Sequence, residues 1–150
     1  MAGSNDFVQA TCQAQYFRDP NNYEAYLTAN HFLAPINNEV DDSRNATYAE
    51  NLASLNKLVL VLFTKDTMVV PKESAWFGAA AVETGDGDQA VLSLSETIVP
   101  MRRQRLYVED WIGLRRLDER GGIEFERCES GHMQIGGCWE RILAGNVGGS

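Results

Sequence analysis

KLVLVLFTKDTMVVP, residues 57–71, is the stretch that decides the fold of this chain. Its residues Leu58–Phe63 are all apolar, without alternating polar positions, a pattern that favours a strand covered on both faces, as in a parallel sheet between helices. Such a strand is expected at the centre of its sheet. Asp66 follows its carboxyl end, the edge of an open α/β sheet where catalytic groups collect. Asp66 is therefore a candidate site residue, although an aspartate here could also simply close a turn.

The composition limits what kind of protein this is. The chain has 150 residues, 44% of them apolar, which suits one compact domain or part of one. A net charge of −8 argues against nucleic acid as a partner. No run approaches the ~18 apolar residues of a membrane helix, and the first residues lack a signal-peptide pattern. The three cysteines fit no zinc site, and residues 85–88 have too few oxygen ligands for calcium, so we expect no metal and no cofactor.

Two features indicate an oxidising compartment. Cys128 and Cys138 bracket His132, and a disulfide between them would stabilise the fold by roughly 2–3 kcal/mol in the chain-entropy model. The sequon at Asn45, with sequence NAT, is expected in an exposed loop and predicts glycosylation there, although such sequons also occur by chance.

Local patterns predict the helices before the strand. An Asp/Asn-rich start with a proline allowed in the first turn predicts a helix over residues 21–32, and the polar segment 34–44 ends it. Thr47 and Glu50 have the spacing of a capping box, which starts a second, short helix. We expect Tyr48, Leu52 and Leu55 on one face of that helix.

After the strand, residues 110–120 are predicted to form a helix with Trp111, Leu114 and Leu117 inward, stopped by two glycines. Residues 123–126 are then a short strand that leads to His132. A last helix begins at residue 139, and residues 145–150 are expected to be a flexible, glycine-rich tail.

Asp66 after one strand and His132 after a later one follow the order of acid and base in α/β-hydrolases. In such a pair the carboxylate accepts a hydrogen bond from one imidazole nitrogen and leaves the other nitrogen free to deprotonate a nucleophile. Order alone also allows His132 to be an ordinary surface histidine.

Several collinear stretches resemble the palmitoyl-protein thioesterases, lysosomal α/β-hydrolases that remove fatty acyl groups from cysteines. They are QAQYFRDP at 13–20, FLAPINNE at 32–39, FTKDTMVVP at 63–71, SAWFG at 74–78, ETIVP at 96–100, LYVEDWIGL at 106–114 and SGHM at 130–133. This resemblance covers residues 9–143 and implies that Asp66 is the triad acid and His132 the general base. It also implies substrates that are S-acylated proteins or small acyl thioesters, a lysosomal, vacuolar or secreted location, and a family sequon at Asn45.

The chain departs from the family at the nucleophile, a serine in a Gly-x-Ser-x-Gly elbow, because no serine here has glycines two residues to either side. It therefore resembles the carboxyl-terminal half of the enzyme. The expected fold is α/β, with the later strands and helices of a mostly parallel hydrolase sheet and the end of a helical insertion in residues 1–144. The amino-terminal half is then a possible partner. Cys12, between two alanines, imitates an elbow only weakly.

The function implied is hydrolysis of palmitoyl thioesters, although this chain alone is expected to be inactive without the serine. Met68 and Val69, beside Asp66, and Trp76, just beyond, are candidate acyl-binding residues that core packing explains equally well. The alternatives are a non-catalytic fragment or pseudoenzyme, a module that binds acyl chains or proteins, and an esterase with another acyl substrate.

Overall fold

The computed structural model describes residue 18, residues 22–80 and residues 98–146. Cys12, the turn predicted at residues 85–88 and residues 147–150 lie outside this part of the chain. The helices are α1 (Tyr23–Ala29), α2 (Leu33–Ile36), α3 (Ala46–Ala53), α4 (Arg105–Val108), α5 (Leu114–Glu119) and α6 (Trp139–Asn146). The strands are β1 (Leu58–Phe63), β2 (Ala79–Ala80), β3 (Ile98–Val99) and β4 (Ile123–Cys128). Single 3₁₀ turns occur at Asp41–Ser43, Lys72–Trp76, Met101–Arg103 and Ile135–Gly137.

Strands β1 and β4 pair in parallel, with Leu58 opposite Ile123 and Phe63 opposite Cys128. Both strands therefore end at the same edge, and the segments that follow them lie side by side. A second pair, β2 and β3, is antiparallel and only two residues long. Helices combined with a parallel sheet confirm the predicted α/β class.

Side chains from β1 pack on both sides of the sheet, as the unbroken apolar pattern predicts. Leu58 and Leu60 contact the larger core cluster, and the side chains on the opposite face, those of Val59, Val61 and Phe63, contact the smaller one. Only Leu62 of this strand is fully buried. The reason is that β4 is the one strand paired with β1 in the described residues. The central position of β1 stays a prediction.

The larger core cluster is built by the segment from the Met101 turn to α5. Its buried members are Met101, Tyr107, Trp111, Ile112 and Leu114. The predicted inward residues Trp111, Leu114 and Leu117 are confirmed as buried. The helix begins at Leu114 rather than at residue 110, because Gly113 has a left-handed φ of 80°. A Cβ atom on Gly113 would lie 2.0 Å from the backbone oxygen of Ala49, so only glycine lets α3 approach this closely.

Other predicted boundaries shift for local reasons. The first helix ends at Ala29, because the Asn30 side chain accepts hydrogen bonds from the N–H groups of Phe32 and Ala34 and so begins α2. The predicted capping box of α3 is wrong, since its cap is Asn45, whose side chain accepts from Thr47 N–H.

The buried face of α3 and the start of the tail also differ from the prediction. Ala49 is the buried residue of α3, whereas Tyr48 and Leu55 are 42% and 40% exposed. Small Ala49 faces inward because α5 begins directly against it. The last helix continues to Asn146, so the predicted tail is wrong for residues 145 and 146.

A buried carboxylate holds the segment before α3 together. The Glu39 side chain is 2% exposed, and it accepts hydrogen bonds at 2.8–3.1 Å from Arg18, Tyr23, Tyr26 and Asn37. Burial, together with the nearby carboxylate, raises the pKa of the Tyr26 hydroxyl, which therefore stays a donor. These four donors offset the free-energy cost of removing the carboxylate from water.

Removing this carboxylate should destabilise the chain. We expect Glu39→Ala to lower the free energy of unfolding by about 3 kcal/mol, because it leaves a guanidinium, one buried hydroxyl and one half-buried hydroxyl without their acceptor. Glu24→Ala, at an exposed position of α1, is the matched control and should change it by less than about 0.5 kcal/mol. Urea unfolding followed by tryptophan fluorescence measures both. Equal midpoints for the two variants would contradict this assignment.

Candidate active site

The parallel pairing of β1 and β4 continues past the ends of both strands. Thr64 N–H donates to the Cys128 carbonyl at 2.9 Å, and Lys65 N–H donates to the Ser130 carbonyl at 3.0 Å. The chain therefore reaches Asp66 on one side and His132 on the other while the two segments are still in contact. This is why residues 66 positions apart meet at the carboxyl edge of the sheet.

Asp66 uses both carboxylate oxygens. Its Oδ1 accepts from the N–H groups of Met68 at 2.8 Å and Val69 at 3.1 Å, and its Oδ2 lies 2.7 Å from His132 Nδ1. The same side chain thus closes the turn after β1 and contacts His132. The hydrogen bond with His132, supported by the Val69 and Met68 N–H groups, holds the pKa of the Asp66 carboxyl below its ordinary value. The side chain is 6% exposed, so these bonds keep a shielded carboxylate ionised.

His132 is oriented by that carboxylate and remains reachable. Its side chain is 33% exposed, against 6% for Asp66. With Nδ1 directed at a carboxylate, Nδ1 carries a proton and Nε2 is the nitrogen able to exchange one with a nucleophile. The arrangement can therefore perform general acid–base chemistry on a group placed next to Nε2.

The lowered pKa of Asp66 predicts a pH-dependent contribution to stability. A group whose pKa is lower in the folded than in the unfolded chain stabilises the fold fully above its unfolded pKa, about 3.9 for aspartate, and this is lost as the pH falls through the folded value. Asp66→Asn should therefore lower the urea midpoint at about pH 6, and its gap to wild type should narrow as the pH falls below about 3.9. Asp42→Asn, at an exposed position, is the control. A pH-independent gap between Asp66→Asn and wild type would contradict the pairing.

The predicted disulfide is present in the structure. Cys128 is the last residue of β4, and Cys138 immediately precedes α6; their Cα atoms are 5.6 Å apart. Both are buried, at 1% and 7% exposed, and Ile142 of α6 packs with them. The bond closes the loop that carries His132.

One residue near this edge, Lys72, has no recognisable local signature in the sequence. Lys72, at the start of a 3₁₀ turn, donates from Nζ to the Thr64 carbonyl at 3.0 Å and so fixes the turn that leads to Asp66. Lysines are usually solvated, and no local pattern marks one that reaches back eight residues.

The other predicted site residues fall into three settings. Met68 and Val69, beside Asp66, are 76% and 38% exposed, so their side chains are open to contact. Trp76 packs edge-on against Phe125 and donates from its indole nitrogen to the Leu60 carbonyl, which gives it a packing role on the sheet.

Asn45, the residue of the sequon, is exposed. Its side chain caps α3 through Oδ1, which leaves the glycan-accepting nitrogen out of that bond. Substrate contact by the other three residues and glycosylation of Asn45 remain predictions.

The part of the chain that the structure describes contains neither a cluster of metal ligands nor a helix that could cross a membrane. There, no group of three or more His, Cys, Asp or Glu side chains is placed to hold a metal ion. Within the same residues, no helix has the length and apolar character needed to cross a membrane.

An aspartate and a histidine that meet after adjacent parallel strands have the arrangement that is typical of the acid and base in α/β-hydrolases. The sequence model of the family described as palmitoyl protein thioesterase matches residues 2–132, which end at the histidine. The chain belongs to this family.

Individual relatives agree with the family match. The chain is 48% identical over 130 residues to palmitoyl-protein thioesterase 1 of Caenorhabditis elegans, covering 86% of this chain and 40% of that protein. It is 43% identical over 112 residues to palmitoyl-protein thioesterase 3 of Dictyostelium discoideum, covering 75% of this chain and 35% of that protein. A human lysosomal thioesterase is 32% identical over 108 residues, with 72% and 32% covered. The chain thus spans two fifths or less of the length of these relatives.

Proposed function

We propose that Asp66 and His132 are the acid and the base of a serine-hydrolase triad that cleaves palmitoyl thioesters on protein cysteines. The observation that carries this proposal is the 2.7 Å contact between His132 Nδ1 and Asp66 Oδ2 at the carboxyl edge of a parallel strand pair. The names of the relatives as palmitoyl-protein thioesterases support the substrate class. The serine and the oxyanion hole come from the portion that the relatives have beyond their match to this chain.

In the proposed reaction, His132 Nε2 takes the serine proton as the serine oxygen bonds to the thioester carbonyl carbon. Asp66 stabilises the resulting imidazolium through its bond to Nδ1. The carbon–sulfur bond then breaks, and His132 returns the proton to the leaving thiolate. In the second half, His132 deprotonates a water molecule as the water oxygen bonds to the acyl carbon. The bond from that carbon to the serine oxygen then breaks, His132 returns the proton to the serine, and the fatty acid leaves.

Three features support the substrate and the location. Met68 and Met133 flank the pair in sequence and are 76% and 72% exposed, which offers apolar surface to a fatty acyl chain. The lowered pKa of Asp66 keeps its carboxylate charged in a mildly acidic compartment. A lysosomal location is proposed because several relatives are named lysosomal thioesterases, and the Cys128–Cys138 disulfide suits such an oxidising route.

The test measures thioester hydrolysis with and without a source of the nucleophile. The isolated chain should release no palmitate from an S-palmitoylated peptide above a buffer blank, because an acid–base pair alone lacks both the nucleophile and the oxyanion hole. Adding the part of the Caenorhabditis elegans relative that this chain does not match should produce turnover. A palmitoyl oxyester of the same peptide is the comparison for the esterase alternative and should be the poorer substrate.

The isolated chain is itself the control for the mixture. Clear turnover by the chain alone would contradict the proposal, and its loss on Cys12→Ser would then assign the nucleophile to Cys12. A mixture that forms a complex and stays inactive on both substrates would favour the non-catalytic alternatives.

A further inference from the structure

We propose that the Cys128–Cys138 disulfide is a positioning element for His132, so that breaking it disconnects the imidazole from Asp66 while the sheet stays folded. The catalytic consequence rests on the proposed function, but the positioning itself does not. Three aspects of the His132 loop, residues 129–137, lead to this inference.

The disulfide joins two points that are each fixed by other contacts. Cys128 lies opposite Phe63 in the parallel pair, and its carbonyl accepts from Thr64 N–H at 2.9 Å. On the other side, the Cys138 carbonyl accepts from Ile142 N–H at 3.1 Å, at the beginning of α6. The covalent bond therefore ties the end of the loop to the sheet edge at which the loop begins.

The loop has little packing of its own. Met133 is 72% exposed and Ile135 is 45% exposed. A Cβ atom built on Gly136 or Gly137 would meet no atom within 4 Å, so this side of the loop borders open space. Packing is therefore insufficient to hold the segment that follows His132 in one place.

Hydrogen bonds to the segment after β1 are concentrated at the start of the loop. Thr64 Oγ1 donates to Glu129 at 3.2 Å, and Lys65 N–H donates to the Ser130 carbonyl at 3.0 Å. Farther along, Cys138 N–H donates to the Ile135 carbonyl at 2.9 Å, but this bond joins the loop only to the cysteine that follows it. Among the described residues, the only hydrogen bond that joins the loop beyond Ser130 to the segment after β1 is that of His132 to Asp66. Without the disulfide, this single bond would have to hold that part of the loop against the sheet edge.

The test breaks the disulfide and observes the imidazole directly. A phosphine reductant cleaves the sulfur–sulfur bond, leaving two thiols on the chain while the phosphine takes up an oxygen atom from water. Because both sulfurs are shielded, the variant Cys128→Ala/Cys138→Ala provides a second arm that needs no reductant. Cys12→Ser controls for the remaining cysteine in both arms.

The readout is nitrogen-15 NMR of the histidine rings in the full chain, which needs no catalytic activity. The chain has two histidines, so His31 serves as an internal reference. In the oxidised chain, the proton on His132 Nδ1 should be shifted downfield and protected from exchange, and Asp66→Asn should abolish that signal, which assigns it.

We expect both disulfide-free forms to lose the protected His132 proton, with the His31 ring signals and the β1 and β4 amide signals unchanged. An unchanged His132 signal in both forms would overturn the inference. Loss of the His31 and strand signals as well would also overturn it, because the bond would then hold the whole fold rather than this loop. If the chain took no part in thioester hydrolysis, all of these NMR signals would be unchanged. The experiment therefore tests the positioning of His132 separately from the proposed function.

Discussion

His132→Ala should reduce the turnover of the complemented thioesterase to the buffer blank, a loss on the order of 10⁶-fold in kcat. The reason is that a serine hydroxyl is a weak nucleophile until a base removes its proton, and in the proposed reaction that base is His132, which lies 2.7 Å from Asp66. Asp66→Asn should cost less, about 10⁴-fold, because the imidazole remains but is no longer held in the productive tautomer. KM should change little in either variant, since the pair acts on the reacting atoms.

The control for this comparison is His31→Ala. His31 is the other histidine of the chain and is exposed, so its replacement should leave kcat at the wild-type value. Palmitate release is measured from the same S-palmitoylated peptide for all variants. If His132→Ala retained more than a hundredth of wild-type kcat, which is about 2.7 kcal/mol of barrier, His132 could not be the base.

The second large effect concerns association. The isolated chain should form dimers or larger species, because among the described residues β1 is paired along one edge only. Exposed apolar side chains near the site add to this: Met68 is 76% exposed, Val70 is 81% exposed and Met133 is 72% exposed. Sedimentation velocity should therefore give a weight-average mass at least twice the 16.7 kDa of the chain.

Two substitutions distinguish association through this surface from nonspecific aggregation. Val70→Lys, within the exposed apolar surface beside Asp66, should shift the distribution toward monomer. Val108→Lys replaces another exposed valine, 53% accessible and at the end of α4, and should have no such effect. A sharp monomer for the wild-type chain, with cooperative unfolding, would show that these residues do not form an association surface.

The part of the sheet that could be predicted from sequence is the part that a local pattern of apolar residues determines. The unbroken apolar run of β1 predicted a strand packed on both faces, and both core clusters do contact it. What the run could not reveal is the number of neighbouring strands, because pairing partners are set by other parts of the chain. Most residues of β1 are half-buried, because β4 is the one strand paired with it among the described residues.

Helix boundaries were missed where a side chain or a close contact overrides the periodic pattern. Asn30 ends α1 by offering its own oxygen to two later N–H groups, and Gly113 delays α5 because α3 lies against it. In the first case, a side-chain oxygen competes with the helix backbone for N–H groups only a few residues away, and helix propensities do not predict which acceptor is used. In the second case, the boundary depends on a helix more than fifty residues away in the chain, so the residues around Gly113 alone do not predict it.

The candidate site was predicted by order and resemblance rather than by distance. Asp66 and His132 each follow a strand, but the sequence does not say that these strands are adjacent, and the register of β1 with β4 supplies that step. Glu39 and Lys72 were not foreseen, since the first is a charged residue buried by donors from elsewhere and the second reaches back to Thr64. Such long-range polar contacts leave no local signature.

In the proposed reaction, His132 activates a serine in the polypeptide that complements this chain. The most direct measurement is the rate at which that serine is modified by a fluorophosphonate, followed by mass spectrometry of the complementing polypeptide. We expect rapid modification of one serine in a Gly-x-Ser-x-Gly segment when the wild-type chain is present, and almost none when it is absent or carries His132→Ala. Equal modification with wild-type and His132→Ala chains would show that His132 does not activate that serine.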